Sequence, residues 1–273
     1  MEILMIRSRD MAFGKERSLL TVFDQDVITD IFPTELIIQI FSLLHFREIL
    51  KIATINKKVS FLVNDPRLLK CVIYRDMTFN PGDWKTHFGD NNPAAFDEEL
   101  AWKFLPNNIG EIFKNRFLRF PKKKLGETHV IVWKPANLSI NNYENLLIEK
   151  LKLKYCYVGV PKIEDELTEK GEWIVMTRLI LPASRDYSRH KRITKKQNLK
   201  NFKSCNIHKV IEAMICAVSI FLKFELKTLH TQNITRCIES DEYPSITIRM
   251  WGDAFECCPL FIKNIGLTPV WKF

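Results

Sequence analysis

The stretch FPTELIIQIFSLL, Phe32 to Leu44, sets the terms for the whole chain. Taken as a helix at ~100° per residue, its Phe32, Leu36, Ile37, Ile38, Ile40, Phe41, Leu43 and Leu44 cover an arc of roughly 240°, with Glu35, Gln39 and Ser42 in the remainder. A helix packed on a single core needs an apolar stripe of little more than ~100°. The excess implies burial on several sides or a second surface meant for a partner.

Working outward, the pattern is helical from Thr29 to Ile73, with Pro33 where a first-turn proline is tolerated because its missing N–H would be unsatisfied anyway. Three short helices are expected: Thr34 to Leu44, Arg47 to Ile55 and Lys57 to Val63. A unit this small buries too little surface to be secure alone. It nevertheless carries more large apolar residues than three short helices can hide. Residues 1 to 28 are weakly patterned and read as an N-terminal arm. After the helices, TFNPGDW (Thr78 to Trp84) interrupts the pattern with Pro81 and Gly82.

Residues 74 to 273 mix strand and helix signals. THVIVWKPA (Thr128 to Ala136) and WIVMTRLILP (Trp173 to Pro182) are β-rich runs stopped by proline. Between Ile207 and Leu226, Lys209, Glu212, Cys216, Ser219 and Lys223 form a narrow polar line at helical spacing, which predicts a central helix. SITIRMW (Ser245 to Trp251) alternates, and turn signals at Gly252-Asp253 and Asn264-Gly266 space out two further extended runs. An α+β domain ending in an antiparallel meander is expected.

The chain has 273 residues, 46% of them hydrophobic and 11% aromatic, enough to build a substantial core and to exclude a disordered or fibrous class. Its longest apolar stretch, VIEAMICAVSIFL (Val210 to Leu222), contains Glu212 and falls short of the ~20 residues that span a bilayer. Glu2, Arg7, Arg9 and Asp10 break the N-terminal sequence where a secretory signal would be apolar, so no such signal is expected. Seven irregularly spaced cysteines point to a reducing compartment and not to a disulfide framework. The net charge of +9 is concentrated: residues 185 to 203 hold eight Lys or Arg against Asp186 alone and supply +7 of it. An argument from charge is therefore an argument about one segment.

The helical stretch also resembles a known family. FPTELIIQIFSLLHFREILKIATINKKVSFLVNDPRLL (Phe32 to Leu69) is similar to an F-box, matching at Pro33, Glu35, Leu36, Ile40, Phe41, Lys57, Lys58, Asp65, Pro66 and Leu68, and departing at Phe32, Glu48, Asn56, Val59 and Leu69. The resemblance implies docking of the first two helices on the Skp adaptor of a cullin-RING (SCF) ubiquitin ligase. It would put Phe32, Pro33, Leu36, Ile37, Ile40, Phe41 and Leu50 at or near that interface, with Ile52, Ala53 and Ile55 holding the helices together. Further blocks, among them DWKTHFG (Asp83 to Gly89), LPNNIGEI (Leu105 to Ile112), ETHVIVWKPA (Glu127 to Ala136), WIVMTRLILPASR (Trp173 to Arg185) and TRC (Thr235 to Cys237), resemble a module that follows the F-box in proteins of chlamydia-like bacteria living in amoebae. That likeness implies delivery into a eukaryotic host, action in its cytoplasm or nucleus, and no catalytic chemistry or cofactor.

Other constellations point elsewhere. CNIH (Cys205 to His208) and ECC (Glu256 to Cys258) could supply zinc ligands but lack the paired spacing of closed zinc sites, and no metal is expected. His129 and Cys237 are the residues a thiol hydrolase would use, though no nucleophile motif or Gly-rich oxyanion turn accompanies them. The basic run, with Arg189, Lys191, Arg192, Lys195 and Lys196 at its centre, suits an acidic partner or nuclear import. Its few aromatics give little for stacked bases, so nucleic acid is not the expected partner. Three readings follow: an adaptor that recruits a target through residues 74 to 273, a cysteine-dependent hydrolase, and a basic nucleic-acid-binding protein.

Overall fold

The computed structural model describes residues 33–52, 57–117, 120–152, 155–158, 166–177, 205–207, 209–224, 235–237, 246–251, 254–258 and 269–272. The expected N-terminal arm, the basic run, Phe32, Ala53, Ile55 and His208 lie outside them. The chain forms two compact units, 1–72 and 73–273, and the whole is mixed α and β.

The first unit is helical: α1 (Thr34–Ser42), α2 (Phe46–Ile52), α3 (Lys57–Val63) and α4 (Pro66–Asp76), the last running on into the second unit. Pro33 sits at the N-cap of α1, one position earlier than expected, and its carbonyl accepts from Leu36 and Ile37 N–H at 3.0 and 3.2 Å. Glu48 reaches back to the His45 N–H at 2.9 Å and ties down the start of α2. The helix α4 is a fourth where three were expected. Asp65 accepts from Arg67 N–H at 2.8 Å and Pro66 opens the helix, a pairing that uses each residue for what its chemistry allows at a helix start. Hydrogen bonding from Arg67 holds the Asp65 carboxyl below its usual range. Ile37, Phe41, Ile49, Ile52, Leu62, Val63, Leu68 and Val72 make the core.

In the second unit, β1 (Thr78–Phe79) leads to α5 (Pro81–Phe88). The Pro81-Gly82 pair, read from the sequence as a break, instead opens this helix. Asn80 and Asp83 form a reciprocal capping box, Asp83 N–H to Asn80 Oδ1 at 3.1 Å and Asn80 N–H to Asp83 Oδ2 at 2.8 Å. The helices α6 (Glu98–Phe104) and α7 (Ile109–Lys114), a hairpin of β2 (Arg116–Phe117) and β3 (Phe120–Lys124), and the short α8 (Leu125–Thr128) come next. Then follow β4 (His129–Lys134), α9 (Ile140–Leu151), β5 (Tyr155–Val158), β6 (Glu172–Thr177), β7 (Cys205–Ile207) and α10 (Val210–Phe224). The last strands are β8 (Thr235–Cys237), β9 (Ile246–Trp251), β10 (Ala254–Cys258) and β11 (Pro269–Lys272).

A five-stranded sheet has the order β1-β4-β6-β11-β7, and a four-stranded sheet the order β5-β10-β9-β8. The strand β9 pairs antiparallel with β8 and with β10, whereas β5 lies parallel to β10. The final strand leaves this sheet and inserts between β6 and β7 in the other, which a simple C-terminal meander would not do. Every residue of β4 is buried, and successive side chains point to opposite faces, so the five-stranded sheet is covered on both faces at β4.

Three buried tryptophans fasten helices to that sheet, and each donates its indole N–H. Trp84 of α5 donates to the Trp133 carbonyl at 3.0 Å, Trp133 to Asp97 Oδ2 at 2.8 Å, and Trp173 to the Ala101 carbonyl in α6 at 2.7 Å. Trp133 and Trp173 are register partners on β4 and β6 with ring centroids 5.3 Å apart in an edge-to-face contact. Gly171 lets the chain pass close: a Cβ there would come within 2.7 Å of Trp133 Cζ2. Three of the sequence blocks singled out above therefore hold core tryptophans.

Candidate functional site

Two features stand out, one in each unit. In the first, α1 uses both of its sides. Ile37 and Phe41, 2% and 1% exposed, are packed in the core with α2, α3 and α4. Leu36 and Ile40, 39% and 42% exposed, stand one turn apart on the other side with Pro33 and Leu43 also exposed. Of the residues assigned by resemblance to an adaptor interface, Pro33, Leu36 and Ile40 are thus accessible, while Ile37 and Phe41 face inward and hold the helix in place. Phe32 lies outside the described residues, and for Leu50 only its place in α2 is described. Ile52, expected to face inward, is buried.

In the second unit, a cleft of ≈ 280 Å³ opens where β4 and β11 end, β6 begins, and α9 and α10 start. Eight charged residues line it, four Lys and four Glu, and four of them from four elements meet at its inner wall. Lys134 Nζ lies 2.7 Å from Glu172 Oε1, and Lys272 Nζ lies 2.8 Å from the same oxygen and 2.7 Å from Glu212 Oε1. Lys134 and Glu212 are 3.9 Å apart. Lys272 Nζ is thus shared between the two carboxylates. Glu212 Oε2 meanwhile accepts from the Lys209 N–H at 3.0 Å and caps α10.

Burial opposes the charge on Glu172, but hydrogen bonds from Lys134 and Lys272 outweigh it and hold the carboxyl below its ordinary value. Burial likewise opposes the charge on Lys272, and Glu212 with Glu172 outweighs it, so its ammonium titrates above the usual lysine value. Glu166 to Lys170 form the rim. Thr168 staples that segment to the preceding turn: its hydroxyl donates to the Pro135 carbonyl at 2.7 Å and accepts from Leu138 N–H at 2.9 Å. Ile140 and Ile211 supply apolar wall.

Sequence reasoning did not assemble this cleft. Glu212 was noticed as a polar residue on an otherwise apolar helix, and the polar line it belongs to does not face solvent as a unit. Ser219 bonds back to the Ile215 carbonyl at 2.7 Å, Lys223 reaches Asp83 Oδ2 at 2.6 Å, and Cys216 is buried. The usable signal was charge inside apolar runs: Lys134 at the end of HVIVWK and Glu212 within VIEAMICAV.

The remaining candidates are dispersed. His129 is fully buried at the start of β4, with Nδ1 2.8 Å from the Thr128 hydroxyl, while Cys237 belongs to β8 of the other sheet. Cys205 lies in β7 and Glu256 to Cys258 in β10, again in different sheets. Among the described residues no group of His, Cys, Asp or Glu is placed to hold a metal, and no helix is long and apolar enough to cross a membrane. Comparison with known proteins gives no match to a protein-family model, to a curated protein or to a solved structure.

Proposed function

We propose that this protein is a substrate-recruiting adaptor and not an enzyme. In this reading the helices of residues 33–72 form an F-box-like module that docks on the Skp subunit of an SCF ubiquitin ligase, and the α+β unit, with the antiparallel strands of residues 235–258, holds a target. The mechanism is proximity: tethering raises the effective concentration of target beside the ligase. With the likeness to proteins of amoeba-dwelling bacteria, the setting would be a host cell's cytoplasm or nucleus and the protein an effector.

The observation that carries the proposal is the two-sided α1. Its core side is complete with Ile37 and Phe41, and its outer side still presents Leu36 and Ile40 beside Pro33. Apolar anchors at one-turn spacing on an exposed helix face are what a partner groove accepts.

The test is capture of purified Skp adaptor by the full chain. The wild-type protein should bind, and the Pro33→Ala, Ile40→Ala double variant should lose binding while its circular dichroism and melting stay close to wild type. Failure of the wild type to bind any Skp adaptor, or a double variant that binds equally well, would refute the proposal.

A further inference from the structure

The cleft of the second unit carries an inference that stands whether or not the first unit docks on a ligase. Its inner wall is two ammonium groups and two carboxylates in mutual contact, so the quartet is neutral as a whole. Burying such a group gains little stability over well-packed apolar residues of the same volume. This one borders ≈ 280 Å³ of open space. That volume lies near the small end of ligand sites, which run from about 300 to 1,000 Å³.

The charge pattern selects the class of ligand. A lone anion drawn to Lys272 meets Glu172 and Glu212 at the same place, and a lone cation drawn to Glu172 meets Lys134 and Lys272, so neither gains from the wall. A ligand carrying both signs a few bonds apart can set its carboxylate against the ammonium and its ammonium against the carboxylate. Lys272 is the most exposed member of the quartet, with 29% of its side chain accessible, followed by Glu172 at 12%, Lys134 at 9% and Glu212 at 3%. Both lysines contact Oε1 of Glu172, and Oε2 takes no bond from a described residue. Beside the charges, buried Ile140 and Ile211 offer apolar surface, and Leu167 stands exposed at the rim. Through the Thr168 staple, the rim is fixed before any ligand arrives.

We infer that this cleft binds a small zwitterion with an aliphatic side chain, the chemistry of a free amino acid such as leucine. The ligand carboxylate pairs with Lys272, its ammonium with Glu172, and its side chain lies against Ile140 and Ile211.

Calorimetric titration of the full chain with L-leucine, 4-methylpentanoate and isoamylamine separates the requirements, because the second compound lacks only the ammonium and the third only the carboxylate. Leucine should bind saturably, and each singly charged analogue about tenfold or more weaker, the cost of one charge-assisted bond. Lys272→Gln and Glu172→Gln should each weaken leucine by a similar factor. Leu167→Glu tests the same site without touching the quartet: at an exposed rim position it should leave the fold intact and weaken leucine several-fold. No saturable leucine binding, equal binding of 4-methylpentanoate or isoamylamine, or an unchanged affinity in Leu167→Glu would each overturn the assignment.

Discussion

Ile40 and Phe41 are neighbours on one helix and should respond to truncation in opposite ways. Phe41 is 1% exposed, and Phe→Ala at such a site costs ~3 to 5 kcal/mol through lost burial and the cavity left behind. A unit of this size has on the order of 3 to 7 kcal/mol of stability in all, so Phe41→Ala should leave residues 33–72 largely unfolded. Ile40 is 42% exposed, and about half of the ~1.5 to 3 kcal/mol available from burying its side chain is realised in the free protein. Alanine's better helix propensity returns ~0.4 kcal/mol, so Ile40→Ala should cost only ~0.4 to 1 kcal/mol of stability. If a partner covers the outer face, completing that burial is worth ~1 kcal/mol or more, which is a five- to tenfold weaker complex in the variant. Hydrogen exchange of peptides from residues 33–72, with adaptor titration on the same samples, reads both quantities. Equal loss of protection in the two variants would show that α1 has one function, in the core, and would undo the reasoning from its two faces.

Trp84→Phe removes an indole and the 3.0 Å bond to the Trp133 carbonyl, and should lower the urea stability of the second unit by ~2 to 3 kcal/mol; an unchanged midpoint would mean α5 is not held by that side chain. The Glu172 carboxyl is held below its ordinary value of 4.5, so its stabilising contribution is complete above that pH and disappears as pH falls through the lowered value. Glu172→Gln should therefore be less stable than wild type at pH 7 but lose less on acidification, a comparison that parallel acid curves would contradict. Because Lys272 titrates above its ordinary 10.5, its contribution is complete below that pH and is lost only as pH rises through the raised value. Burial, with Glu212 adding to it, pushes the Cys216 thiol well above its usual value, whereas Cys71 is exposed. Mass spectrometry after brief native alkylation should find Cys71 modified and Cys216 untouched; comparable labelling would place α10 at a surface.

Parts of this architecture were legible because a local pattern sufficed. A β-rich run ended by Pro135 gave β4, and a thirteen-residue stretch apolar apart from Glu212 and Ser219 gave α10. The helix α5 was misread because Pro81-Gly82 is a turn signal by itself. Only Asn80 and Asp83, three residues apart, show that it is a capped start. Asp65-Pro66 carried the same kind of signal for α4. The cleft was beyond local reading: Lys134, Glu172, Glu212 and Lys272 are scattered over half the sequence, and the placement of β11 brings the last of them to the others. For the outer side of α1, hydrophobic periodicity showed that there were too many apolar residues. It could not say which of Leu36, Ile37, Ile40 and Phe41 would be left outside.

The insertion of β11 between β6 and β7 has a consequence for how the chain is made. Among the described strands, β7 meets its sheet only through β11. On the ribosome, β1, β4 and β6 can pair as soon as residue 177 has emerged, but β7 must wait until Pro269 to Lys272 arrive. During that interval α10 carries Glu212 without its Lys272 counter-charge. A nascent chain halted before Pro269 leaves β6 without its β11 partner and β7 unpaired. Arrival of β11 therefore completes this sheet, and loss of Pro269 to Lys272 should be far more damaging than four residues suggest, because β7 loses its pairing with them.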